Sequence, residues 1–139
     1  MTEPPIVLAV YGTLRRGEPN EGLLAEAEPL GRAFVDGRLF EMPLTGERAY
    51  PYPSLVLEGS GVVVVELFQL TGPAMLATLD ELEAYDPADE AGSEYIRRLV
   101  AVRAGAVERA WVYLFNGPRA AVGAAIDDGD WVAHRRRAI

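Results

Sequence analysis

The chain of 139 residues is half hydrophobic, carries a net charge of −8 and contains no cysteine. That length fits a single domain, 1–139, with a core of its own. Disulfides, thiol chemistry and thiolate metal sites are excluded, and the acidic balance argues against nucleic acid, which calls for a basic face. All 13 basic residues are arginine, so lysine Schiff-base chemistry is excluded as well. No charged segment followed by an apolar stretch opens the chain, which gives no signal peptide and a cytoplasmic expectation. Apolar runs such as 62–65 are too short for a bilayer, so no membrane partner is expected.

In chain order, residues 1–5 read as a loose lead-in. Residues 6–10 are five consecutive apolar residues, three of them β-branched, as in a strand buried on both faces. The strand runs into Tyr11-Gly12-Thr13-Leu14-Arg15-Arg16-Gly17. Gly12 and Gly17 permit backbone conformations closed to other residues. Without a side chain at Gly12 a ligand could approach the main chain, and Thr13, Leu14 and Arg15 would offer successive N–H groups to a carboxylate. Residues 20–27 read as a short helix with Asn20 as its N-cap. Residues 32–40 read as a strand bent at Asp36-Gly37, with Ala33, Val35 and Leu39 as candidates for its inward face.

Residues 42–60 carry three prolines. Tyr50-Pro51-Tyr52-Pro53 cannot form a central strand, because proline lacks the ladder donor, and reads as an ordered loop whose tyrosines line a cavity or pack over the core. Residues 61–70 read as a strand buried on both faces, with Glu66 anomalous within it. Thr71-Gly72-Pro73 opens a helix that is expected to reach Tyr85 and to end at Asp86-Pro87. Residues 88–93 are small and acidic, as in a mobile loop. Residues 95–103 and 107–115 form an expected hairpin, with Tyr95, Arg97 and Leu99 on one face of the first strand and Trp111, Tyr113 and Phe115 on one face of the second. Residues 128–134 read as a last short segment anchored by Trp131, and Arg135-Arg136-Arg137 as a solvated terminus.

The helix holds the chemically informative residue. Met75, Leu76, Leu79 and Leu82 form its apolar stripe. At about 100° per residue, Glu83 falls about 20° from Leu76, inside the stripe, whereas Glu81 points about 140° away and Asp80 lies at the edge. Three acids also crowd the half of the helix where the macrodipole disfavours them. A carboxylate in an apolar stripe is either a proton-transfer group or an edge carboxylate that reaches water or pairs with an arginine such as Arg97 or Arg98. Other chemistries find less support. His134 is the only histidine, and no feature marks Ser54, Ser60 or Ser93 as a triad nucleophile. No zinc-protease, calcium-loop, phosphate-loop or dinucleotide motif occurs.

Tyr11-Gly12-Thr13-Leu14-Arg15, followed by Gly17 and Asn20, resembles the opening signature of the gamma-glutamylcyclotransferase-like superfamily. The whole chain is similar to its small branch, the gamma-glutamylamine cyclotransferase and AIG2-like proteins. The similarity runs on through Tyr52-Pro53, Val65-Glu66-Leu67-Phe68, Leu79-Asp80-Glu81-Leu82-Glu83, Tyr95 with Arg97, Ala110-Trp111-Val112-Tyr113 and Gly129-Asp130-Trp131. Their order and spacing, more than any one piece, carry the resemblance.

The resemblance implies an α+β fold, a small mixed β-barrel flanked by helices with a cavity at one end. It implies a reaction without a cofactor, in which the α-amino group of a γ-glutamyl substrate attacks its own γ-carbonyl, giving 5-oxoproline and a free amine. The family's catalytic glutamate falls on Glu83. The substrate-binding set that goes with it is Tyr11, Gly12, Thr13, Leu14, Arg15, Tyr52, Tyr95 and Tyr113. Two departures stand out: residues 85–94 are longer and more acidic than the family pattern, and Ala84 stands where the family often has glycine. Both are expected to shape the leaving-group side of the cavity. Two other functions fit the same residues: a non-catalytic binder of a small carboxylate or amino acid, and γ-glutamyl deprotection of a biosynthetic intermediate. A monomer and a homodimer are both compatible with the sequence.

Overall fold

The computed structural model describes residues 5–15, 17–18, 20–42, 52–59, 61–118 and 121–137. Among these residues eight strands and two α-helices follow in chain order: β1 (Val7–Val10), β2 (Glu28–Asp36), β3 (Arg38–Glu41), β4 (Pro53–Val56), β5 (Val62–Gln69), α1 (Pro73–Leu82), β6 (Tyr95–Ala101), β7 (Arg109–Phe115), β8 (Ala125–Ile126) and α2 (Trp131–Arg137). Five strands form one sheet in the order β2-β5-β1-β7-β6, and three form a second in the order β4-β3-β8. The large sheet is mixed, because β1 runs antiparallel to β5 but parallel to β7.

The α+β class expected from the sequence holds, but the barrel does not close. The edge strands β2 and β6 are not paired along their length. One bridge at the end of β6 joins them, with the Phe34 and Arg103 main chains exchanging hydrogen bonds of 3.0 and 2.8 Å.

β1 is the centre of the molecule and is buried on both faces, as its composition predicts. Val7 and Ala9 face a core filled by Val63, Val65, Val112, Leu39, Leu55 and Trp131. Leu8 and Val10 face a second core with Leu79, Tyr85, Tyr95 and Tyr113. Gly37, at φ +154°, passes the chain from β2 in one sheet to β3 in the other, so Ala33, Val35 and Leu39 all point inward across the bend.

Several expectations need correction. β5 is not buried on both faces: Val63, Val65 and Leu67 are buried, but Val62 is 41% exposed and the intervening residues are intermediate. Its valine run reflects β propensity on a half-buried surface. Pro53 does not exclude a strand; it begins β4, an edge strand of the small sheet, where a missing N–H is tolerated. Tyr50, Pro51 and Ser60 lie outside the described residues.

The short helix after Asn20 is a single 3-10 turn, Glu21–Leu24, and Asn20 makes no side-chain cap to it. Helix α1 ends at Leu82, not Tyr85. Ala84, at φ +52°, turns the chain out before Asp86-Pro87 is reached. Residues 86–93 are tied down instead of loose. The Ser93 hydroxyl donates to the Asp89 carbonyl (2.9 Å), and the Asn116 amide donates to the carbonyls of Glu90 (2.7 Å) and Ser93 (3.0 Å). Arg135 is not simply solvated, for it donates to Glu18 at 2.7 Å beside the Trp131 indole, which donates to the same carboxylate oxygen at 2.8 Å.

Candidate active site

At one end of the large sheet a cleft opens between the end of β1, the start of β4, the end of α1 and the facing strands β6 and β7. Its walls include Tyr11, Gly12, Thr13, Leu14, Tyr52, Glu83, Tyr95 and Tyr113. Eight of the nine site residues named from the sequence therefore meet around one space of about 420 Å3, part of it open to solvent.

The loop after β1 is set by its own hydrogen bonds. The Asn20 amide donates to the Thr13 hydroxyl (3.0 Å), and the Asn20 N–H donates to the Thr13 carbonyl (2.8 Å). Gly17 takes φ +85°, which explains the second glycine. Gly12 is needed for close packing: a Cβ there would stand 2.6 Å from Cγ of Pro53. The close neighbour is thus Pro53, which makes the floor of the cleft where the sequence suggested a ligand.

Arg15 is the residue the structure sets apart. Its N–H donates to the Gly12 carbonyl (3.0 Å). Its fully buried side chain runs away from the cleft to Glu66 and Asp130, each at 2.7 Å. This pairing also accounts for the anomalous Glu66. The N–H groups of Thr13 and Leu14 have no acceptor among the described residues and remain to serve an anion.

Glu83 sits at the C-cap of α1, half-buried, with its N–H bonded to the Leu79 carbonyl (3.1 Å) as in a continuing helix. That bond keeps it on the stripe side, whereas Glu81 is exposed. Arg97 and Arg98, the ion-pair partners considered for Glu83, are bound to Asp80 and Glu90 respectively. Asp80, placed at the helix edge by its spacing, is in fact buried. It receives both Nε (2.9 Å) and Nη2 (3.1 Å) of Arg97, and the Tyr113 hydroxyl donates to it at 2.6 Å. The Arg97 guanidinium stacks over Trp111 and Tyr85, at 5.0 and 5.4 Å from their ring centres. Sequence spacing missed this residue, although an acid three positions before Glu83 facing an arginine two residues into β6 was the available signal.

Tyr95 and Tyr113, in the walls of the cleft, are neutral. Burial pushes the Tyr95 hydroxyl well above the usual phenol range, with the neighbouring Tyr11 and the Glu83 charge adding to it. Burial, the bond to Asp80 and the charges of Asp80 and Glu83 do the same for Tyr113. Their protons are committed to the scaffold. Tyr11 donates to the Tyr113 carbonyl (2.6 Å), Tyr95 bonds Ser54 (2.5 Å) and reaches the Pro53 carbonyl (3.3 Å), and Tyr52 donates to Glu94 (3.1 Å). Ser54 and Ser93 bond to these and to main-chain groups, while His134 lies beside Glu41, so no serine–histidine pair forms among the described residues. No group of three potential metal ligands occurs among the described residues, and none of their helices is long and apolar enough to cross a membrane.

The family model for gamma-glutamyl cyclotransferase, AIG2-like proteins matches residues 8–133, and the chain belongs to that family. A curated relative, the gamma-L-glutamyl-butirosin B gamma-glutamyl cyclotransferase of Niallia circulans, is 34% identical over 111 residues. The match covers 78% of this chain and 66% of the relative, so the chain spans about two thirds of that protein's length. An uncharacterized protein of Pyrococcus horikoshii has a similar structure, with a TM-score of 0.71, 25% identity, and coverage of 96% of this chain and 95% of that one. An AIG2-like protein of Mus musculus shares the fold at a TM-score of 0.62 and 20% identity, over 86% of this chain and 83% of that one.

Proposed function

We propose that this protein is a γ-glutamyl cyclotransferase, acting on a γ-glutamyl amine or amide, with Glu83 as general acid and base. One observation carries the reading: a half-buried carboxylate at the end of α1 shares a narrow cleft with the acceptor-free N–H groups of Thr13 and Leu14. These N–H groups hold the substrate α-carboxylate. Glu83 takes a proton from the α-ammonium, and the freed amine attacks the γ-carbonyl. The tetrahedral centre then collapses, the bond to the leaving nitrogen breaks as Glu83 returns the proton to it, and the α-nitrogen becomes the lactam N–H. Of the two protons the α-nitrogen loses, one reaches the leaving amine through Glu83 and the other passes to solvent or buffer. Ring closure is intramolecular, so holding the glutamyl chain folded supplies much of the acceleration. Tyr95 and Tyr113, held neutral, complete the walls without competing for the proton. No cofactor enters this scheme. A chain without cysteine suits a reducing compartment, and we assign it to the cytoplasm.

The test is 5-oxoproline release, followed by mass spectrometry, from a panel of γ-glutamyl amines, γ-glutamyl amino acids and glutathione. Wild type is expected to turn over at least one member, and Glu83→Gln to lose at least ~100-fold in kcat, the usual worth of a positioned acid-base. Full turnover by Glu83→Gln would remove the assigned role. The relative's name gives γ-glutamyl cyclotransfer on gamma-L-glutamyl-butirosin B; deprotection of a biosynthetic intermediate by this chain would differ only in leaving group and is decided by the best substrate.

A further inference from the structure

Asp80 is buried beside the cleft yet takes no part in the proton transfers above. As the carboxylate of a bidentate pair with Arg97 it can only accept hydrogen bonds, so the proton in its 2.6 Å contact with Tyr113 is the phenol's. A phenol has one proton and two lone pairs. Tyr113 lines the cleft, and its hydroxyl has no further partner among the described residues. With the proton drawn to Asp80, the phenol oxygen can offer the cleft only acceptance.

We infer that Asp80 is a positioning residue that fixes Tyr113 as the hydrogen-bond acceptor for the substrate's α-ammonium, beside Glu83. The inference rests on the cyclotransferase reading and assigns the two poles of the glutamyl head to opposite walls. The donors of Thr13 and Leu14 take the carboxylate, and the oxygens of Tyr113 and Glu83 take the ammonium. The Glu83 charge acts on the Tyr113 phenol, as expected of two groups that share one cationic guest. Arg97, stacked on Trp111 and Tyr85, holds Asp80 in place from behind.

The experiment compares L-glutamate with glutarate, which lacks only the amino group, as ligands measured by calorimetry. Wild type is expected to prefer glutamate. Tyr113→Phe, which keeps the ring and leaves the Asp80–Arg97 pair intact, is expected to shrink that preference by about tenfold, the lower range for a hydrogen bond to a charged group. Glutarate affinity is expected to change by less than about twofold over the same pair. Asp80→Asn is expected to shrink the preference too, because its amide can donate to the phenol oxygen and occupy the lone pairs. Equal loss of both ligands in Tyr113→Phe, or a wild type indifferent to the amino group, would overturn the inference. Wild-type turnover with an unchanged preference in Tyr113→Phe would overturn it and leave the cyclotransferase reading standing. A preference that depends on Tyr113, with no 5-oxoproline from any substrate, would uphold the ammonium site and overturn the cyclotransferase reading.

Discussion

Arg15 shows how one residue can carry a family signature for a reason unrelated to ligand. Its side chain is buried between Glu66, 51 positions away, and Asp130, 115 positions away. Burial alone would push Asp130 upward, but the bonds from Arg15 and from the Ala133 N–H outweigh it and hold the carboxyl below its ordinary range. Removing the cation leaves two partly buried carboxylates facing each other. Arg15→Met is therefore expected to cost about 3 kcal/mol in urea unfolding, while a protein that still folds keeps the Thr13 and Leu14 donors. Glu66 was legible in the sequence as a charge in an apolar run, but its partner was not, because no local pattern links residues so far apart. Asp80 was misplaced for a related reason. Helical spacing gives the angle around α1 but not the depth of the neighbour, and Arg97 with Tyr113 reaches over to enclose it.

At the scale of elements, the end of α1 decides where Glu83 points. Ala84 adopts φ +52°, a left-handed conformation that glycine takes without steric cost. Ala84→Gly is expected to relieve this and, after the added freedom of the unfolded chain, to raise stability by about 0.5 kcal/mol, read as a small increase in melting temperature. The loop after β1 behaves oppositely. Gly12→Ala would drive a Cβ to 2.6 Å from Pro53. Turnover is expected to fall at least ~10-fold, since misplacing a substrate-holding loop by about 1 Å is costly, and near-native circular dichroism would separate that loss from unfolding. Strands β1, β5, β6 and β7 and helix α1 could be read from apolar runs, alternation and helical spacing, because such patterns are local, although the run in β5 overstated its burial. Strand β4 could not, since its two prolines nearby argue for a loop and only its place at a sheet edge makes Pro53 acceptable.

For the molecule as a whole, charge and pH are linked through the acidic segment after α1. The Arg98 bonds to Glu90, with the Tyr85 hydroxyl donating to the same carboxyl, lower Glu90 to about 2 from an ordinary 4.5. A carboxyl depressed in the folded state adds stability above its unfolded value and loses it as the pH falls through the folded one, here between about 4.5 and about 2. Glu90→Gln is expected to flatten the acid side of the melting-temperature profile in that window. Both side chains are substantially exposed, so the effect should be small and should fade in high salt. As the 21 acids protonate against 13 arginines the net charge passes through zero and turns positive, adding a background of repulsion that grows as the pH falls, so the variant must be compared with wild type at each pH.

The bridge between Phe34 and Arg103 has a consequence for how the molecule lives among its copies. Open sheet edges are templates on which another chain can add a strand. By drawing the ends of β2 and β6 together, a pair of main-chain hydrogen bonds turns part of both edges toward each other and away from neighbours. Putting proline at position 34 or 103 would remove a donor from that pair, and with it one barrier to strand-by-strand aggregation.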